Sequence, residues 1–279
     1  MEFKESMQKI IRFYLVNILA MCSLCFALTA QGDGRIFHHQ MEVSLLPVSS
    51  ELDVKDHIRI PEHLRNDPTT PTNLQFSLHA NLTIHAVEGG QLISHEVSLD
   101  SRPASAAPTK HYTLVLSAQQ TSVTLHYSGK INHLVQEPGQ EYARSFSYTP
   151  GVIADEGVFL ANSSAWYPQF DKDPMMSFRM NVRIPEGWDV VSQGTLVSEE
   201  KKDSWQTIIW EEQHPQDDLY IVAGRYKRYT QSIGAVTALV YLRSADEALA
   251  QKYLEATAQY IGMYNKLLGP YPYSKFALV

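Results

Sequence analysis

Eleven histidines, thirty acidic residues and two cysteines carry most of the reactive chemistry in this 279-residue chain. A protein-held metal needs three or four ligands at one point, and a helix delivers two histidines to one ion when they stand three or four residues apart. His38-His39, His57, His63, His79, His85, His95, His111, His126, His133 and His214 show no such grouping, and no CxxC pair supplements them. His95-Glu96 runs on into Val97, Ser98 and Leu99, so it does not open a zinc-binding helix. His79 and His85 read as the polar face of one strand, roughly 20 Å apart at strand rise and too distant to share an ion. The expectation is surface histidines and no metal bound by this chain. Trp166, Trp188, Trp205 and Trp210, with many tyrosines, are the residue types of a carbohydrate-binding face, and equally of a strand core. Tyr142, Phe146 and Tyr148 alternate with polar residues and read as a cleft edge or a strand face.

The formal charge of -7 forms no acidic block, which argues against nucleic acid as a partner. Lys4, Lys9 and Arg12 precede an apolar run at 13–30, broken only by Asn17, Ser23 and Thr29. That is the layout of a signal peptide cleaved near Ala30, or of an uncleaved membrane tether through residues 13–30. Either predicts an exported protein, periplasmic, extracellular or membrane-anchored. A lipid-attachment reading of Leu19-Ala20-Met21-Cys22 is weakened by Met21, bulkier than the small residue usual before the cysteine. Both Cys22 and Cys25 lie in this segment, so a chain cleaved after it has no disulfide and relies on packing.

Elements must position whatever functions here. From 31 to 73 the periodicity is poor and four prolines intervene, so at most an edge strand is expected. Leu74, Phe76, Leu78, Ala80, Leu82, Ile84 and Ala86 alternate with polar residues and predict one half-buried strand. Further strands are expected at 112–116, 123–127, 178–184, 205–210, 219–223 and 236–242, with turns at Gly89-Gly90 and Pro185-Glu186-Gly187. Such a run of strands without intervening helices predicts a mainly β fold, an antiparallel β-sandwich or saddle over residues 35–242. The pattern changes at 243–279. Ser244 to Glu247 reads as a capping box, Ala250, Leu254, Thr257, Ile261, Tyr264 and Leu268 form one helical face, and Gly269-Pro270 stops it.

Three stretches resemble the zinc aminopeptidase family of the aminopeptidase N and leukotriene hydrolase type. The first is Trp166-Tyr167-Pro168-Gln169-Phe170-Asp171 with the later Pro185-Glu186-Gly187-Trp188-Asp189-Val190-Val191-Ser192-Gln193-Gly194. The second is Leu219-Tyr220-Ile221-Val222-Ala223-Gly224-Arg225-Tyr226. The third is Tyr264-Asn265-Lys266-Leu267-Leu268-Gly269-Pro270-Tyr271-Pro272-Tyr273-Ser274-Lys275-Phe276-Ala277-Leu278-Val279. The resemblance implies an amino-terminal β domain followed by the opening strand-helix-strand of a truncated α/β thermolysin-like domain. It implies zinc in the complete enzyme, a peptide substrate, and an H-E-x-x-H helix that does not occur in these 279 residues. The chain is therefore expected to be inactive alone. Relatives often place an amine-binding glutamine upstream of the aromatic-proline pair; here that neighbourhood holds Glu156, whose carboxylate could also hold an ammonium group, or be a solvated turn acid beside Asp155. A non-catalytic peptide- or carbohydrate-binding module and a pseudoenzyme stay open as alternatives.

Overall fold

A computed structural model describes residues 34–65, 70–95, 107–135 and 149–279; the expected signal or tether at 1–30, both cysteines, and Tyr142, Phe146 and Tyr148 lie outside them. The strands in chain order are β1 Phe37–Leu46, β2 Glu51–Arg59, β3 Thr72–His79, β4 Leu82–Glu88, β5 Gln91–His95, β6 Thr109–Leu116, β7 Ser122–Lys130, β8 Val152–Ala154 and β9 Gly157–Leu160. They continue as β10 Gln169–Phe170, β11 Met176–Pro185, β12 Asp189–Val191, β13 Thr195–Lys202, β14 Trp205–Gln216, β15 Ile221–Gly224, β16 Lys227–Ile233, β17 Val236–Leu242 and β18 Lys275–Leu278. One helix, α1 Glu247–Leu268, separates the last two.

Seven strands make the largest sheet, in the order β13-β14-β11-β1-β2-β7-β4, and all neighbours are antiparallel except β1 with β11. The sheets β10-β3-β6-β5 and β12-β15-β9-β8 share one apolar core with it. Contact between the first two is direct: Phe37 of β1 stacks on Phe170 of β10 at 4.1 Å, and Phe170 meets Phe76 of β3 at 5.5 Å. Period-two alternation supplies this core. Phe178, Met180, Val182 and Ile184 of β11 all point inward and are fully buried, each side chain contributing roughly 1.5–3 kcal/mol by leaving water. The mainly β expectation holds.

Two readings of the strands change. The segment 31–73 holds β1 and β2, which lie inside the largest sheet and not at its edge. Their apolar alternation is hidden because the inward positions include His39 and Asp56, buried and bonded to each other at 2.8 Å (Nδ1 to Oδ2). The single strand expected at 74–86 is two strands in different sheets. The chain turns at Ala80-Asn81, where the Asn81 backbone N–H donates to His79 Nδ1 at 3.0 Å. Leu82 is again inward, so the apolar rhythm runs unbroken through the turn.

Arg35–Val279 form one unit by their contacts. Beyond Gly224 the chain builds a third kind of layer: β16-β17-β18, with β17 and β18 parallel and α1 packed on β17 through Ala238, Val240, Ala250 and Leu254. This is the expected strand-helix-strand, and its sheet runs across the 242–243 division. The helix begins two residues later than the sequence suggests. Asp246, not Ser244, is the cap, its carboxylate accepting from the Leu249 N–H at 2.9 Å, which typically contributes ~1 kcal/mol. Gly269, at φ 99°, ends it. Of the expected face, Ala250, Leu254, Thr257 and Ile261 are buried, while Tyr264 and Leu268 are exposed. No helix of the described residues is long and apolar enough to cross a membrane.

Candidate functional site

The distinctive aromatic and glycine residues form a structural knot. Trp166 is fully buried and its indole N–H donates to the Leu219 carbonyl at 2.9 Å; the Trp210 N–H donates to the Val190 carbonyl at 3.1 Å. After β12, Ser192 Oγ donates to the Tyr220 carbonyl at 2.7 Å and Gln193 Nε2 to the Asp218 carbonyl at 2.9 Å. Gln193 Oε1 accepts the Tyr220 N–H in return, at 3.1 Å. Gly194 follows at φ 72°, and a Cβ there would sit 2.2 Å from the Glu211 carbonyl oxygen. The residue types of the first and second resembling stretches are thus fixed by one another. Trp166, Trp188 and Trp210 are buried, and Arg183 lies over the half-buried Trp205 at 3.9 Å.

Glu156 stands at a hairpin tip. Asp155 and Glu156 join β8 to β9, both exposed, with Ala154 paired to Gly157. Two arginines brace the turn from distant parts of the chain. Arg225, just after β15, donates to the Asp155 carbonyl at 3.0 Å and to its Oδ1 at 2.7 Å, while lying over Trp188 at 4.8 Å. Arg243, just after β17, donates to the Glu156 carbonyl at 2.7 Å. The Glu156 backbone is therefore held by the first residue after the βαβ unit's opening strand, while its carboxylate holds no partner among the described residues. An exposed, unpaired carboxylate on a braced hairpin can accept from an ammonium group. Sequence reasoning missed Arg225 and Arg243; nothing in their local context signals the bracing.

Two histidines depart from the surface expectation, while His57, His63, His85 and His214 are exposed. His39 and His79 are buried. His79 Nε2 contacts His133 Nε2 at 2.8 Å; because His79 Nδ1 accepts from Asn81, its proton sits on Nε2 and is donated to His133. Burial, with the second imidazole beside it, pushes His79 down to about 4. His38 contacts Ser177 Oγ at 2.9 Å through Nδ1 and is likewise pushed down by burial to about 4. His85 stands against His126, rings 5.8 Å apart, not on a strand with His79. Among the described residues no three His, Cys, Asp or Glu side chains converge in a way that could hold a metal ion. His39 pairs with Asp56 and His79 with His133, and with no third ligand converging on either pair these residues do not fit a zinc centre.

No protein-family model matches the chain, and no curated protein matches it. Solved structures do. An M1 zinc metallopeptidase from Deinococcus radiodurans superposes with a TM-score of 0.51 at 14% identity, over 87% of this chain and 56% of that one. A mutant of the Deinococcus radiodurans enzyme bound to a Tyr-Ser-Ala substrate gives 0.51 at 15% identity, covering 88% and 56%. A two-domain M1 zinc metallopeptidase mutant bound to L-arginine gives 0.53 at 14% identity, again 88% and 56%. The fold is therefore one found in M1 zinc metallopeptidases, and the chain spans a little over half the length of these structures.

Proposed function

We propose that this chain supplies the amino-terminal β domain and the first βαβ elements of the catalytic domain of a zinc-dependent aminopeptidase, which removes the amino-terminal residue of a peptide. One observation carries the reading: a saddle of antiparallel sheets continues into a parallel β17-α1-β18 unit, in an arrangement shared with M1 zinc metallopeptidases over 88% of the chain. Neighbours holding a Tyr-Ser-Ala substrate and L-arginine support a peptide as the partner. Bound elsewhere in such an enzyme, zinc would supply Lewis-acid polarisation of the scissile carbonyl and an activated water. The described residues do not fit it, and no catalytic step is assigned to them.

The role this chain's own residues take is positional. Glu156 receives the peptide's free ammonium, held in place by Arg243 through its carbonyl and by the Asp155–Arg225 pair beside it. Export belongs to the same proposal, supported by the basic and then apolar residues of 1–30.

The test is to follow the gene's reading frame through this segment and assay its whole product. Zinc-dependent release of amino-terminal residues from aminoacyl reporters is expected. Glu156→Ala should raise KM about tenfold with kcat little changed, the mark of lost ground-state binding. A frame without H-E-x-x-H, giving a product that binds peptides and cleaves none, would replace the enzyme with a binding module. A degenerate motif would point to a pseudoenzyme. Amino-terminal sequencing of protein made in its own cell checks export.

A further inference from the structure

A cavity of about 250 Å³ opens where the segment after α1 crosses the β core, with Glu212 and Tyr220 on one wall and Tyr271, Tyr273, Lys275 and Phe276 on the other. It brings together two opposite charges that do not neutralise each other. The Lys275 ammonium donates to the Ser192 carbonyl at 2.6 Å and lies 4.8 Å from the centroid of the Trp210 ring. An ammonium has three protons to donate, and among the described residues this one has no carboxylate within ion-pair reach. Glu212 is 6% exposed. Its Oε1 accepts the His214 backbone N–H at 2.8 Å and contacts the His214 ring at 2.7 Å, while Oε2 holds no hydrogen bond among the described residues.

The electrostatics say what is missing. Burial pulls the Lys275 amine down to about 8, against a smaller opposing pull from Glu212, so the site charges its lysine at a cost. A ligand carboxylate would relieve that cost through a charge-assisted hydrogen bond. A simple anion, however, would face the nearby Glu212, and a simple amine would face Lys275. Only a ligand carrying both charges meets a favourable partner at each end. The remaining wall, Tyr271 against Tyr273 with ring centroids 5.6 Å apart and Tyr271 against Phe276 at 6.3 Å, offers aromatic surface for an apolar side chain.

We infer that this cavity binds a free α-amino acid with an aromatic or large aliphatic side chain, its carboxylate on the Lys275 ammonium and its ammonium on the Glu212 carboxylate. The inference stands on the cavity alone and is independent of the aminopeptidase reading.

Calorimetric titration of the whole 279-residue chain at neutral pH tests it. The probes are L-phenylalanine, 3-phenylpropionate, which lacks the ammonium, and phenethylamine, which lacks the carboxylate. Saturable L-phenylalanine binding is expected, with each analogue at least about tenfold weaker, a gap of about 1.4 kcal/mol. Glu212→Gln should weaken L-phenylalanine about tenfold and strengthen 3-phenylpropionate. Lys275→Met should weaken L-phenylalanine and strengthen phenethylamine. These opposite movements could not come from an unfolded variant. No saturable binding to the unaltered chain, or equal affinity for L-phenylalanine and either analogue, overturns the inference.

Discussion

The β core and the β16-β17-β18/α1 layer bury their apolar residues to different depths. In the core, side chains as large as Trp166, Trp210, Tyr127 and Phe178 are inaccessible to solvent. The layer's own cluster of buried residues is small, made of Ala238, Val240, Ala250 and Leu254. Along the outer side of α1, Tyr260, Tyr264, Leu267 and Leu268 are 58%, 50%, 69% and 83% exposed. A helix takes most of its stability from the face it buries. The difference is that the core closes its large apolar side chains on one another, whereas α1 rests on one narrow stripe. The two regions meet where Lys275 donates to the Ser192 carbonyl, where Thr195 Oγ1 contacts Ser274 Oγ beside Gly194, and where Leu239 and Tyr241 pack on Val191.

Substitution at the centre of each region breaks the comparison most directly. Trp210→Ala should cost about 3–5 kcal/mol in urea unfolding, through lost burial and the cavity left behind. Leu254→Ala should cost less, with hydrogen exchange speeding up chiefly in α1 and little in β11. Equal costs in one shared transition would show that the two regions fold as a single cooperative unit.

Acid should separate the regions next. His38 and His79, both attached to the core, are held down to about 4 from an unfolded value of 6.5. Because the unfolded chain binds their protons first, the stability they permit is full above pH 6.5. It falls progressively as pH drops towards 4. The loss should be about 2–3 kcal/mol for His79, and His79→Gln should flatten that part of the profile. A urea midpoint unchanged between pH 7 and 4 would contradict the buried, neutral pair. Exchange in α1, remote from both histidines, should track this loss only through global unfolding.

The seam between the regions is probed by Gly194→Ala. With φ at 72° and the new methyl 2.2 Å from a carbonyl oxygen, the turn must shift. A cost of about 2 kcal/mol is expected, together with weaker protection of both β13 and β18. The smallest effect belongs to the helix cap. Asp246→Ala should remove about 1 kcal/mol from α1 and leave β11 exchange unaltered, since only the Leu249 N–H loses its partner.

Much of the fold was legible because burial on one face writes period two into a sequence. β6, β7, β11, β14 and β17 fall where alternation placed them, and Ala250, Leu254, Thr257 and Ile261 are buried at the helical spacing the sequence shows, the first two against β17. Legibility failed where inward positions are polar. His39 and Asp56 hide β1 and β2, because each is tolerable in the core only with the other, and no local pattern reports a partner on another strand. It failed too at Ala80-Asn81, where inward Leu78 and Leu82 carry the rhythm across a turn.

For the sites the division is sharper. The sequence by itself determined the strand-rich class, the change to a helical segment near residue 244, the lack of a paired-histidine zinc motif in these residues, and Glu156 as a candidate through resemblance. Only the tertiary structure decided that Arg225 and Arg243 brace the hairpin that presents Glu156, and that Lys275 and Glu212 face one cavity without pairing. The reason is range. Periodicity and caps are written within a few residues, whereas a charge pair or a brace depends on which strands the core brings side by side.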